Sequence, residues 1–155
     1  TMAGREPECR GMGTTMVAAL VVGQNAYILN IGDSRCYLVQ PDGIRRLTRD
    51  HSVVEDLVTR GKITPEQARQ HPQKNLITRA LGAEAQLRAD LYRQALSPGD
   101  ALLLCSDGLS NVVTEQEVLY EVLHGGPAED CCRRLLDIAL LRGAPDNVTA
   151  VLLQM

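Results

Sequence analysis

Apolar runs of strand length dominate the first third of the chain. MVAALVV (16–22), AYILNI (26–31), RCYLV (35–39) and IRRLT (44–48) are each bounded by turn residues. Gly23-Gln24-Asn25 closes the first run. Pro41-Asp42-Gly43 supplies a turn in which Pro presets φ and Gly accepts a positive one. Strands so closely spaced predict an antiparallel meander. Residues 1–13 (TMAGREPECRGMG) are polar and Gly-rich and read as a loop.

The period then changes. Ser52 to Glu55 matches a capping box, and Val53, Val54, Leu57 and Val58 give a helical stripe ended by Gly61. Thr64-Pro65-Glu66-Gln67 repeats the start signal with Pro at the first helical position. QHPQKN (70–75) reads as a loop, and LRADLYRQAL (87–96) and DALLLCS (100–106) as strands around Ser97-Pro98-Gly99. Thr114-Glu115-Gln116-Glu117 opens another helix, and a longer one is predicted from about Pro127 to Arg142, with Cys131, Leu135 and Ile138 on one face. NVTAVLLQM (147–155) closes the chain as a strand. Strands, helices, strands, helices, strand argue for an α+β protein with largely antiparallel sheets.

Composition narrows the partners. At 155 residues the chain has a one-domain length. A net charge of −3 speaks against a sequence-independent nucleic-acid binder, and the lack of Trp and Phe speaks against base-stacking platforms. Without those rings, the core must be built from Leu, Val, Ile and Ala. No apolar run approaches the roughly 18 residues of a membrane helix, so no membrane association is expected. Cys9, Cys36, Cys105, Cys131 and Cys132 form no CxxC pair, which fits reduced thiols in the cytoplasm.

Three acidic residues stand at strand ends. Asp33 follows an apolar strand in NIGDSR, Asp107 follows another in CSDG, and Asp146 precedes a third in APDNVTAV. Each alone reads as a turn residue. If the three rims converge, like charges ~4 Å apart repel by about 4 kcal/mol at an effective dielectric near 20. A hard divalent cation removes that repulsion, and oxygen-only ligation suits Mg²⁺ or Mn²⁺ rather than zinc.

Taken in order, GMGTT (11–15), NIGDSR (30–35), DHS (50–52), NLITRALG (75–82), CSDGL (105–109) and APDNVTAV (144–151) resemble the metal-dependent serine/threonine phosphatases of the protein phosphatase 2C family, most of all its compact bacterial branch. The resemblance covers essentially the whole chain. It implies a β-sandwich flanked by helices, four layers in the order αββα, with a binuclear Mn²⁺/Mg²⁺ centre at one end. By match to CSDG and PDN, Asp107 and Asp146 are the implied catalytic metal ligands. By match to GDSR, Asp33 joins Asp107 at a third, weaker metal, and Asn111 stands where many members carry Asp. Residues 51–75 correspond to the flap beside the active site. The implied reaction is hydrolysis of phosphoserine and phosphothreonine in proteins by a metal-activated water, opposing a cognate Ser/Thr kinase.

The family also has an N-terminal part with a phosphate-gripping Arg, an acidic pair and an Asp-Gly motif that bridges the metals. None of these is found before GMGTT. The chain is accordingly expected to be the C-terminal two-thirds of such a domain (1–155), incomplete on its N-terminal side. Alone it should be inactive or weakly active, with exposed sheet edges open to self-association. The alternative function is a degenerate or truncated module that binds or regulates without turnover.

Other motifs carry less. GMGTT lacks the GK[ST] ending of a phosphate loop, and CSDGL is not a GxSxG elbow. His51 reads as a hydrogen-bonded structural residue, Arg79 as a buried structural arginine and Cys105 as a small buried hydrophobe. Arg45 and Arg46 read as the solvated face of an edge strand.

Overall fold

The computed structural model describes residues 7–9, 11–82 and 86–155. The meander forms as β1 (Met16–Val22), β2 (Asn25–Ile31), β3 (Arg35–Gln40) and β4 (Gly43–Arg46). Helices α1 (Val53–Thr59) and α2 (Pro65–Arg69) follow, then β5 (Asp90–Ala95) and β6 (Ala101–Cys105). A one-turn helix α3 (Asp107–Ser110), then α4 (Glu115–His124), α5 (Ala128–Leu141) and β7 (Ala150–Gln154) complete the chain. The one-turn helix and a 3-10 turn at Pro7–Cys9 fall where the sequence pattern predicts no helix. The rest of the expected N-terminal loop lies partly outside the described residues.

The strands make two antiparallel sheets, in the orders β1-β2-β5 and β4-β3-β6-β7. Strand alternation builds two cores from them. Ala26 and Ile28 of β2 meet Cys36 and Leu38 of β3 and Leu102 of β6 between the sheets. The alternate residues Tyr37, Val39, Ala101, Leu103 and Cys105 face the other way, onto Val118 and Val122 of α4 and Leu135 and Ala139 of α5. Burial of this aliphatic surface is the main stabilising term, as the composition requires.

The antiparallel sandwich flanked by helices is therefore the architecture, but the described residues supply three of the four expected layers. The outer face of β1-β2-β5 carries no described helix, and it leaves Leu20 64% and Leu91 75% exposed. No helix among the described residues is long and apolar enough to cross a membrane.

Several element ends differ from the sequence reading for identifiable reasons. β5 begins at Asp90 rather than 87 because its pairing with β2 begins there, with Asn30 opposite Asp90. β4 stops at Arg46 because Thr48 turns inward, its hydroxyl accepting from the Cys36 backbone N–H at 3.0 Å. β7 begins at Ala150 because Thr149 is held by Ser106, whose hydroxyl accepts the Thr149 N–H at 3.0 Å. Thr64 and Thr114 form reciprocal capping boxes. Ser52 makes its half, accepting from the Glu55 N–H, but the Glu55 carboxylate is drawn away to Arg46 at 3.0 Å.

Candidate functional site

Two strand ends set the site. At the end of β2 the chain reverses through Gly32, with φ +101, in a turn that any Cβ would obstruct, since it would stand 2.4 Å from the Thr15 methyl. His51 locks this turn: its Nδ1 accepts the Gly32 N–H at 3.0 Å and its own N–H donates to the Gly32 carbonyl at 2.9 Å. Its Nε2 lies 3.1 Å from Asp90 and 3.1 Å from Arg79. His51 is thus a buried structural residue, as its context suggests, whereas the Arg79 side chain is 42% exposed and not buried.

The β6 end carries Asp107 into α3, and the 146–149 segment folds against it. The Ser106 hydroxyl donates to the Asn147 carbonyl at 3.1 Å, and Asn111 donates to the Asp107 carboxylate at 3.3 Å. Gly108 permits the approach, because a Cβ there would stand 2.4 Å from the Asn147 carbonyl oxygen and 3.3 Å from that of Asp146. That close packing explains why CSDG needs its glycine.

The charges of the three aspartates are felt in sequence. Asp33 is pushed up to about 6, first by burial and then by the negative charge of Asp107. Asp107 is raised too, first by burial and then by Asp146. Asp33 and Asp107 line one cavity of about 400 Å³, while Asp146 lies outside its lining. Among the described residues no three carboxylate, imidazole or thiol groups come close enough to hold a metal ion together. The donor chemistry suits a hard cation, since the groups are carboxylates whose repulsion a divalent charge would offset. Their number falls short of a complete shell.

Sequence reasoning passed over the buried pair beside this cavity. Arg35 Nε and Nη2 donate to the Asp50 carboxylate at 3.0 and 2.6 Å, and Arg35 Nη1 donates to the Tyr37 hydroxyl at 3.2 Å. The one available signal was Arg35 standing two residues after Asp33 in GDSR.

Asp33 also makes a pH-dependent prediction. Its folded pKa, about 6, exceeds the ordinary 3.8, so the folded chain holds this proton more tightly than the unfolded chain. Its contribution to stability is full below about 3.8 and is lost as pH rises through about 6. Asp33→Asn, which cannot ionise, is expected to raise the thermal midpoint at pH 7.5 in EDTA, with the gain vanishing near pH 4. Parallel melting curves at both pH values check it, and a gain of equal size at both would refute it.

Comparison with known proteins agrees with this architecture. The protein phosphatase 2C family model matches residues 1–57. The serine/threonine phosphatase stp of Listeria innocua is 40% identical over 156 residues, covering 98% of this chain and 60% of the relative. The crystal structure of the serine/threonine phosphatase Stp1 from Staphylococcus aureus is similar with a TM-score of 0.95 and 41% identity, over 99% of this chain and 60% of that one. A crystal structure of the catalytic domain of PstP in complex with 2 manganese ions is similar at a TM-score of 0.84 and 37% identity, over 97% of this chain and 62% of that one. The chain thus spans about 60% of the length of these phosphatases. With motif order, two-sheet topology and near-complete coverage of its own length in agreement, the chain belongs to the protein phosphatase 2C family.

Proposed function

We propose that this chain is the C-terminal two-thirds of a protein phosphatase 2C-like domain that hydrolyses phosphoserine and phosphothreonine in proteins. Asp107 and Asp146 would hold the binuclear Mn²⁺/Mg²⁺ centre, and Asp33 with Asp107 a third, weaker cation. The observation that carries this reading is geometric: Asp33 and Asp107 line one cavity, and the Asp146–Asn147 backbone packs against Gly108, next to Asp107. When bound, the cations supply a water activated near neutral pH and positive charge for the phosphate oxygens. The chain's own residues do the positioning. Gly32 and His51 fix the Asp33 turn, and Ser106 and Gly108 fix the Asp146 segment against Asp107.

The donor set among the described residues favours little turnover by this chain alone, which supports the second reading, a module that binds or regulates without turnover. A cytoplasmic setting opposite a Ser/Thr kinase, and self-association through exposed sheet edges, complete the proposal. Cys36, Cys105, Cys131 and Cys132, all free thiols, support that setting.

Calorimetric titration of the full chain with MnCl₂ tests the assignment. Asp107→Ala and Asp146→Ala are each expected to weaken Mn²⁺ binding at least tenfold, a change of about 1.4 kcal/mol. Affinity unchanged in both variants would sink the proposed ligand set. Hydrolysis of p-nitrophenyl phosphate with Mn²⁺ reads turnover separately, and a rate near background is expected from this chain alone.

A further inference from the structure

The cavity that Asp33 and Asp107 line is also lined by residues of the two short helices that follow the meander. Their aliphatic contribution is Val54 and Val58 from α1 and Pro65 and Ala68 from α2. Of the four cations that line it, Arg35 and Arg46 are taken up by internal ion pairs, which leaves Arg69 and Lys74. We infer that this cavity is a side-chain subsite, selecting phosphorylated protein segments that carry an aliphatic residue and a carboxylate close to the phosphorylated position. The inference rests on the phosphatase reading above and adds a substrate preference to it.

Three observations carry the assignment. The first is size: about 400 Å³ falls within the roughly 300–1,000 Å³ of ligand pockets, more than a phosphate group alone would use. The second is the state of the charges. Of the acids in the lining, Asp50 is held by Arg35 and Glu55 by Arg46 at 3.0 Å, whereas Asp33 and Asp107 belong to the proposed cation site and Glu115 makes no salt bridge to a described residue. Arg69 and Lys74 make no hydrogen bond or salt bridge from their side chains to any described residue, and Arg69 meets only the charge of Glu66, three residues earlier on α2. Two cations without an internal partner in the lining of the cavity are placed for an acidic ligand.

The third observation is the wall itself. α1 and α2 contain no fully buried residue, so their aliphatic side chains are not consumed by the core. An amphipathic wall of this kind is complementary to a branched apolar side chain with an acidic neighbour. Apolar contact and charge then act on different residues of one peptide, which makes them separable by experiment.

The probes are two fluorescein-labelled peptides bearing a nonhydrolysable phosphonate in place of phosphoserine, one flanked by Leu and Glu, the other by Gly and Lys. Fluorescence anisotropy with the full chain in MnCl₂ is expected to show the Leu/Glu peptide binding at least fivefold more tightly. Arg69→Glu with Lys74→Glu should abolish the preference for Glu, and Val58→Asn should reduce that for Leu. Both variants should keep the parent melting temperature, since neither residue type is buried in the core. Equal affinity for the two peptides, or a preference unchanged in the variants, would overturn the subsite. Calorimetric titration with MnCl₂ separates the two readings. Peptide preference with Mn²⁺ affinity unchanged in Asp107→Ala and Asp146→Ala supports the subsite and counts against the phosphatase reading; Mn²⁺ affinity lost in those variants without any peptide preference does the reverse.

Discussion

Arg35→Ala is expected to lower the free energy of unfolding by about 3 kcal/mol, the lower end of what breaking a buried ion pair costs. The guanidinium grips both carboxylate oxygens of Asp50 through Nε and Nη2, and Asp50 is only 6% exposed. Burial alone would lower the Arg35 pKa, yet the hydrogen bonds to Asp50 and the neighbouring negative charges raise it. Removing the side chain leaves the Asp50 carboxylate to Arg46, whose nearest nitrogen is 3.6 Å away, and strips the Tyr37 hydroxyl of its donor. A buried charge without a close partner is the costly outcome, more so than losing the attraction itself. The same guanidinium also eases the repulsion at Asp33 and Asp107, so its loss should push both carboxyls higher still. Arg35→Lys should recover part of the loss, because an ammonium cannot reproduce the planar fork. Arg49→Ala, which breaks an exposed pair with Asp56, should cost under about 1 kcal/mol. Urea denaturation in EDTA at pH 7.5 measures all three, and an Arg35→Ala loss no larger than that of Arg49→Ala would show Asp50 to be solvated.

The contrast between these two arginines shows where sequence reasoning stops. Local signals were legible: the four meander strands, the capping boxes at Thr64 and Thr114, and the start of β6 all follow from patterns a few residues long. α3 was not, because Asp107 to Ser110 is too short to show a helical period. The aspartates were legible as a set of strand ends, but their order in space was not. It depends on Gly108 admitting the Asn147 carbonyl, a contact across 39 residues that neither segment announces. The Arg35–Asp50 pair lies 15 residues apart and was invisible for the same reason. Arg79 was expected inside, but its partner Asp90 sits at the start of β5, at the margin of the sheet, and holds it partly in solvent.

The core should respond as strongly as the ion pair, and on one face of one strand. Leu103→Ala is expected to destabilise the chain by about 2–5 kcal/mol, the range for deleting a buried leucine side chain. Leu103 is fully buried in the middle of β6, between Tyr37 on β3 and Leu152 on β7. Its side chain belongs to the core under α4 and α5, where Val118, Val122 and Leu135 close around it. The surrounding aliphatic side chains and Tyr37 relax only partly into the space left, so part of the cavity term should persist. Leu20→Ala, on the uncovered face of the other sheet at 64% exposure, should change stability by less than about 0.5 kcal/mol. Urea denaturation of both variants checks the pair, and comparable losses would mean that the outer face is covered in solution. The consequence reaches the site as well, because β6 runs directly into Ser106 and Asp107. A strand that shifts to fill the void moves the carboxylate that senses both Asp33 and Asp146. Leu103→Ala should therefore weaken Mn²⁺ binding in the same calorimetric titration while leaving every proposed ligand in place, which a variant that merely lost surface contacts would not do.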